Sequence, residues 1–125
     1  MFVRQPYYKT YLRISYLKTF NCMKNINNTE FKELIGKNSG AVIIDCRTKT
    51  EWDEGRIKNA ILLDLFESQL FMQKVEGFDK GKMYLVYCRS GSRSVAACQI
   101  LESVGIKNVY NLTGGISSWD GDIII

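Results

Sequence analysis

Beyond the first 22 residues, apolar positions come in short blocks divided by Gly, Asn and charged residues, and each block follows either a helical or a strand period. Phe31, Leu34 and Ile35 share one helical face, so a short helix is expected there, capped by Asn28 or Thr29 and ended by Gly36. The run Ala41 to Cys46 (AVIIDC) is β-branched and apolar on both faces until Asp45, the pattern of a buried parallel strand. Thr48 to Glu54 offers one or two helical turns stopped by Gly55, Ala60 to Leu63 another short strand, and Phe66 to Val75 a further helix. Asp79 to Lys82 (DKGK) reads as a turn. Met83 to Tyr87 (MYLVY) repeats the buried-strand pattern, a Gly/Ser loop follows, and Ser94 to Val104 is helical with Val95, Cys98, Ile100 and Leu101 inward. Val109 to Leu112 is the last strand, Gly114-Gly115 a turn, and Ile116 to Trp119 a final helical turn. Strands that alternate with helices and are apolar on both sides predict an α/β fold with a mainly parallel central sheet flanked by helices. Sites in such sheets form at the carboxyl ends of strands.

At 125 residues the chain has room for one domain and one core. Its 46% hydrophobic and 24% charged residues, with a single Pro, fit a domain that folds alone. No apolar run approaches the roughly 20 residues that cross a bilayer, so no membrane partner is expected. The net charge of +4 is unevenly placed: residues 1–29 hold five basic and no acidic side chains, leaving twelve basic and thirteen acidic for the rest. A balanced body lacks the footprint of a nucleic-acid binder.

The basic, tyrosine-rich start has three readings. A secretory signal is disfavoured because recurring basic residues break any apolar stretch, whereas an organellar presequence fits the acid-free, amphipathic pattern. The third is a disordered extension with Met23 as the working start, the usual state of terminal segments without packing partners. The expected division is an extension at 1–23, a domain at 24–122 and a short apolar tail at 123–125.

Cys22, Cys46, Cys88 and Cys98 form no CxxC pair and suggest neither a metal site nor a redox dithiol. The even count permits two disulfides. Reduced thiols in a cytoplasmic compartment are the simpler reading, with an organellar location tied to the presequence. Histidine is absent, which removes imidazole bases and His-ligated metals. No cofactor is called for.

The chemistry concentrates in Tyr87-Cys88-Arg89-Ser90-Gly91-Ser92-Arg93-Ser94, where a cysteine ends a strand and a helix begins shortly after. A loop of small residues can turn several N–H groups into one bowl, and the helix N-terminus adds its positive end. Such a bowl binds anions and favours a thiolate. With Arg89 and Arg93 nearby, Cys88 is expected to have a depressed pKa.

These residues carry a resemblance. VIIDCRTKTEWDEGRIKNAILLDL, YCRSGSRSVAACQILESVG and VYNLTGGISSW, in that order, resemble the three signatures of single-domain rhodaneses, the thiosulfate sulfurtransferases, over about residues 24–122. Two departures are Arg56 where the family has His, and Lys58-Asn59 where it has Pro-Gly; both put turn geometry in question. The resemblance implies a rhodanese-like α/β fold. It also implies ping-pong transfer, in which the Cys88 thiolate takes sulfane sulfur from thiosulfate or a persulfide donor, and a thiol, cyanide or protein acceptor removes it.

Arg89, Ser90, Gly91, Ser92 and Arg93 would hold the anionic donor; alternatively Arg93 braces the loop by pairing with an acid such as Asp45. Asp45 and Arg47 either support the loop or form a simple ion pair. Cys46 is read as a buried free thiol or as one that resolves the persulfide, Cys98 as core, and Trp52 and Trp119 as packing. Cysteine phosphatases with a related bowl use Cys-x5-Arg, whereas Cys88 to Arg93 is the shorter Cys-x4-Arg, which by resemblance favours sulfur. The competing function is a relay or partner-binding module without efficient turnover of free substrates.

Overall fold

The computed structural model describes residues 23–125. A five-stranded, wholly parallel sheet runs in the order β1-β6-β5-β2-β4, formed by β1 (Lys24–Ile26), β2 (Val42–Asp45), β4 (Ile61–Leu62), β5 (Met83–Tyr87) and β6 (Asn108–Leu112). Parallel neighbours need crossovers, and the helices α1 (Asn28–Lys37), α2 (Lys49–Glu54), α3 (Ser68–Glu76) and α4 (Ser92–Ser103) lie within them. Strand alternation divides the apolar side chains between two cores. Ile44, Tyr84 and Val86 meet Phe71 and Val75 of α3 and Ala97, Cys98 and Leu101 of α4 on one face. Ile43, Leu85 and Tyr87 meet Phe31 of α1 with Ile57 and Leu112 on the other. The expected α/β architecture is therefore present, and the central strands are buried on both sides as their composition requires.

Element boundaries differ from the sequence reading for local reasons. Asn27, not Asn28 or Thr29, caps α1: its side chain accepts from Glu30 N at 2.9 Å while Glu30 accepts from Asn27 N at 3.1 Å. The helix continues through Gly36 to Lys37, and the Asn38 side chain closes it by donating to Leu34 O at 2.9 Å. The third helix begins at Ser68 rather than Phe66 because the Asp64 side chain accepts from Phe66 N at 2.9 Å and holds a turn there. The fourth begins at Ser92, two residues before the expected Ser94.

The tail at 123–125 takes part in the fold: β7 (Ile123–Ile124) pairs antiparallel with β3 (Arg56–Ile57). At the other end Met23 packs partly against the core, and the rest of the expected 1–23 extension lies outside the described residues. No helix among the described residues is long and apolar enough to cross a membrane.

Both departures from the rhodanese pattern find a local solution. Asn59 stands at φ 70°, the left-handed conformation that Asn tolerates better than most non-Gly residues, and Ala60 N donates to Ile57 O at 3.1 Å across the turn. Arg56 lies over the Trp52 ring at 4.7 Å and donates to Trp52 O at 3.4 Å.

Candidate active site

Cys88 follows the last residue of central strand β5, beside the carboxyl end of β2. The chain passes from β2 outward to β4 and then returns to the other side of β2 as β5, so the crevice between β2 and β5 is a topological switch point. The loop Arg89-Ser90-Gly91 turns directly into α4, with Gly91 at φ 110° as the helix cap. This turn folds the backbone around the sulfur: Gly91 N donates to Cys88 Sγ at 3.1 Å, and Ser94 Oγ stands 3.3 Å from it.

Beneath the loop, Ile116 N donates to Cys88 O at 2.9 Å and Ser117 N to Arg89 O at 3.0 Å. Gly115 makes that support possible. Its φ is +59°, and a Cβ there would come within 2.5 Å of Cys88 O and of Arg89 C and O.

The Cys88 thiol is pushed down to about 4. Hydrogen bonding from the Cys46 thiol contributes most; burial opposes it, and the Ser94 hydroxyl with the Ser94 and Gly91 backbone N–H groups adds to it. Arg93 and Cys88 do interact by charge, as the loop sequence suggests, but hydrogen bonds to the sulfur come first in lowering its pKa. Cys46 moves the opposite way, its thiol held protonated by the hydrogen bond to Cys88 and by burial. Burial and the nearby Glu102 charge push the Cys98 thiol up as well.

Arg93 and Arg89 converge on an acid that the sequence reading did not name. Arg93 donates to both Glu51 oxygens, Nη1 at 2.8 Å and Nη2 at 2.9 Å, and Arg89 Nε reaches Glu51 at 3.3 Å. Hydrogen bonding from Arg93, opposed by burial and aided by Thr48 N and Arg89, holds the Glu51 carboxyl well below the usual range. The alternative pairing of Arg93 with Asp45 is thus corrected: Asp45 is taken by Arg47. The signal for Glu51 was Thr48-x-x-Glu51, a capping box that fixes this carboxylate at the start of α2.

Asp45 and Arg47 form a buried pair, Nη2 to Oδ2 at 2.7 Å, with side chains 0% and 5% exposed. The same guanidinium donates to Gly55 O at 2.7 Å, and Tyr87 Oη donates to Asp45 at 2.7 Å while accepting from Ile57 N at 3.1 Å. Tyr87 and Ser94, both inside the quoted loop motif, were missed as site residues. Ser90 and Ser92 are exposed at the rim, and Trp119 packs edge-on against Phe31 at 5.5 Å.

The Rhodanese-like domain family model covers residues 27–122. The chain belongs to the rhodanese-like domain family. Putative sulfurtransferase YtwF of Bacillus subtilis (strain 168) is 35% identical over 100 residues, covering 80% of this chain and 93% of that protein. Thiosulfate sulfurtransferase GlpE of Coxiella burnetii is 38% identical over 96 residues, 77% of this chain and 86% of its own. The crystal structure of a rhodanese-like domain protein from Staphylococcus aureus superposes with a TM-score of 0.71 at 31% identity, covering 82% of this chain and 98% of that one. The two relatives named here, of nearly the same length as this rhodanese-like domain, are sulfurtransferases by name.

Proposed function

We propose that this rhodanese-like domain is a sulfurtransferase that carries sulfane sulfur on Cys88. The observation that carries the reading is the Cys88 sulfur itself, held as a thiolate by Gly91 N and Ser94 in a bowl of N–H groups. The thiolate attacks the outer sulfur of thiosulfate, the S–S bond of the donor breaks, and sulfite leaves with the electron pair. The remaining Cys88 persulfide is an anion in the same bowl. Cyanide or a thiolate then attacks the outer sulfur, and the Cys88 thiolate returns. Donor, leaving group and intermediate are all anionic, so the cycle runs without a proton shuttle and without histidine.

A relay reading draws on one specific observation. Both loop arginines are engaged by Glu51, which leaves less positive charge for a small free anion than the loop sequence implies. On that reading a persulfide on another protein is the donor or acceptor. Treating the purified chain with thiosulfate and weighing it intact tests the proposal. One added sulfur is expected on the wild type and none on Cys88→Ser, because an alcohol without a base is a poor nucleophile. Sulfur uptake by the variant would show that Cys88 is not the carrier. Uptake with slow release to cyanide but fast release to protein thiols would select the relay.

A further inference from the structure

Cys46 has no step in the sulfur-transfer cycle, yet it stands beside the sulfur on which that cycle depends. Asp45 and Tyr87 are register partners on β2 and β5. Cys46 N donates to Tyr87 O at 3.0 Å, so the two strands stay together as Cys46 and Cys88 follow. Neighbouring strands lie roughly 4.7–4.9 Å apart, inside the roughly 4.4–6.8 Å between Cα atoms that a disulfide spans. Alternation sends both sulfurs to one face, where Cys46 and Cys88 pack in the same cluster as Ile44 and Val86, two residues earlier on each strand. The two side chains therefore sit side by side at the carboxyl ends of paired strands, in one buried cluster. Cys98 belongs to that cluster from α4, but its Sγ is directed to Tyr110 O at 3.9 Å.

The two sulfurs are chemically unequal. Cys88 is the nucleophile and the easily oxidised one, and Cys46 is its protonated neighbour; both are buried. We propose that Cys46 is a resolving thiol, which closes a Cys46–Cys88 disulfide after a hydroperoxide has oxidised Cys88. In the first step the Cys88 thiolate attacks one peroxide oxygen and the O–O bond breaks. Alcohol or water leaves after taking a proton, and Cys88 becomes a sulfenic acid, oxidised by two electrons as the peroxide is reduced. In the second step Cys46 Sγ attacks Cys88 Sγ, the S–O bond breaks, and the departing hydroxide takes the Cys46 proton as water. That proton has its acceptor on the spot, so the buried thiol need not ionise first. Two external thiols later reopen the bridge by exchange, regenerating both cysteines and leaving one external disulfide.

The bridge competes with a second peroxide. Without a resolving thiol, the sulfenic acid goes on to a sulfinic acid that thiols do not reduce. The anion-holding bowl would stabilise that sulfinate as well, so a neighbour that reacts first keeps the oxidation reversible. This inference needs only the Cys88 thiolate, not the donor proposed above.

The test treats the full chain with a several-fold molar excess of hydrogen peroxide, alkylates remaining thiols, and maps unreduced peptides by mass. The expected product is a Cys46–Cys88 cross-link with loss of two hydrogens, restored to two free thiols by dithiothreitol. Cys46→Val and Cys46→Ser, each checked for folding by circular dichroism, are expected to gain two oxygens on Cys88 and to recover nothing with dithiothreitol. The Ser variant keeps a hydrogen-bonding group beside Cys88, which separates loss of the sulfur from loss of thiolate stabilisation. Wild-type Cys88 carrying two oxygens while Cys46 is still alkylated would overturn the proposal, as would a bridge to Cys98 or Cys22. The wild-type map decides even if both variants misfold. Thiosulfate uptake measured on the unoxidised protein reports separately on sulfur transfer, so sulfur uptake without a bridge removes this inference alone.

Discussion

At Cys88 a thiolate is held mainly by hydrogen bonds, with the Arg93 charge adding to them. Its pKa of about 4 rests on Cys46, on Ser94 and on the backbone at Gly91 and Ser94, with burial opposing. Alkylation by iodoacetamide should therefore be nearly independent of pH above about 5 and fall through a midpoint near 4. Ser94→Ala removes one donor to a charged sulfur worth about 1.5 to 3 kcal/mol, so the midpoint should rise by roughly one to two units. An unchanged midpoint would mean that Ser94 does not bond the thiolate. The folding consequence has a definite sign. A thiol depressed in the folded state adds stability that is complete above the ordinary thiol pKa and is lost as pH falls toward 4. The loop was legible in the sequence because nucleophile, small residues and helix start are contiguous. Cys46 was legible as a candidate neighbour because two buried strands end in cysteine, whereas Glu51 was not, because a helix cap brings it within reach from 42 residues away in the chain.

Among the elements, the long apolar strands and helices were readable, as was the two-residue strand at Ile61–Leu62, but the other short strands were not. The strands at Lys24–Ile26, Arg56–Ile57 and Ile123–Ile124 hold two or three residues each, too few to show a period, and only their partners define them. Helix α2 is also short, but the Gly55 stop made it readable, and its capping box has a further effect. It places Glu51 to receive Arg93 and Arg89. Glu51→Gln is expected to cost about 1.5 to 3 kcal/mol at neutral pH, the worth of a charged hydrogen bond. Because Arg93 holds the folded carboxyl below its unfolded value, the stabilisation is full above the unfolded pKa of about 4.3 and fades at lower pH. Urea melts of the two proteins should therefore converge as the pH is lowered, and a constant gap would assign the loss to packing instead. The turn under the loop offers a sharper test. Gly115→Ala puts a methyl group against the carbonyls of Cys88 and Arg89, so the loop must shift. Sulfur uptake is expected to fall at least tenfold while circular dichroism stays close to wild type, and full uptake would show that the loop has slack.

Over the whole molecule, one buried ion pair ties the end of α2 to β2, β3 and β5, which share one of the apolar cores. Arg47 reaches from the end of β2 to the end of α2, while Asp45 receives both Arg47 and Tyr87 of β5, and Tyr87 holds the backbone of β3. The sequence showed Asp45 and Arg47 as neighbours at a strand end, but their reach depended on where Gly55, Ile57 and Tyr87 would lie. Asp45 lies within the sheet and not at the sulfur, so its role is to fix the crevice between β2 and β5 where Cys88 sits. Arg47→Ala would leave the Asp45 carboxylate buried without its cation and Gly55 O without its donor. Breaking a buried pair by removing one partner costs about 3 to 5 kcal/mol, against about 1 kcal/mol or less for an exposed one. For a domain of this size that is a fall in thermal midpoint of at least about 10 °C. The Lys49–Asp53 pair is exposed on both sides and serves as the control: Lys49→Ala should leave the midpoint nearly unchanged. Equal effects of the two substitutions would show that the buried network is not what holds β2, β3 and β5 together.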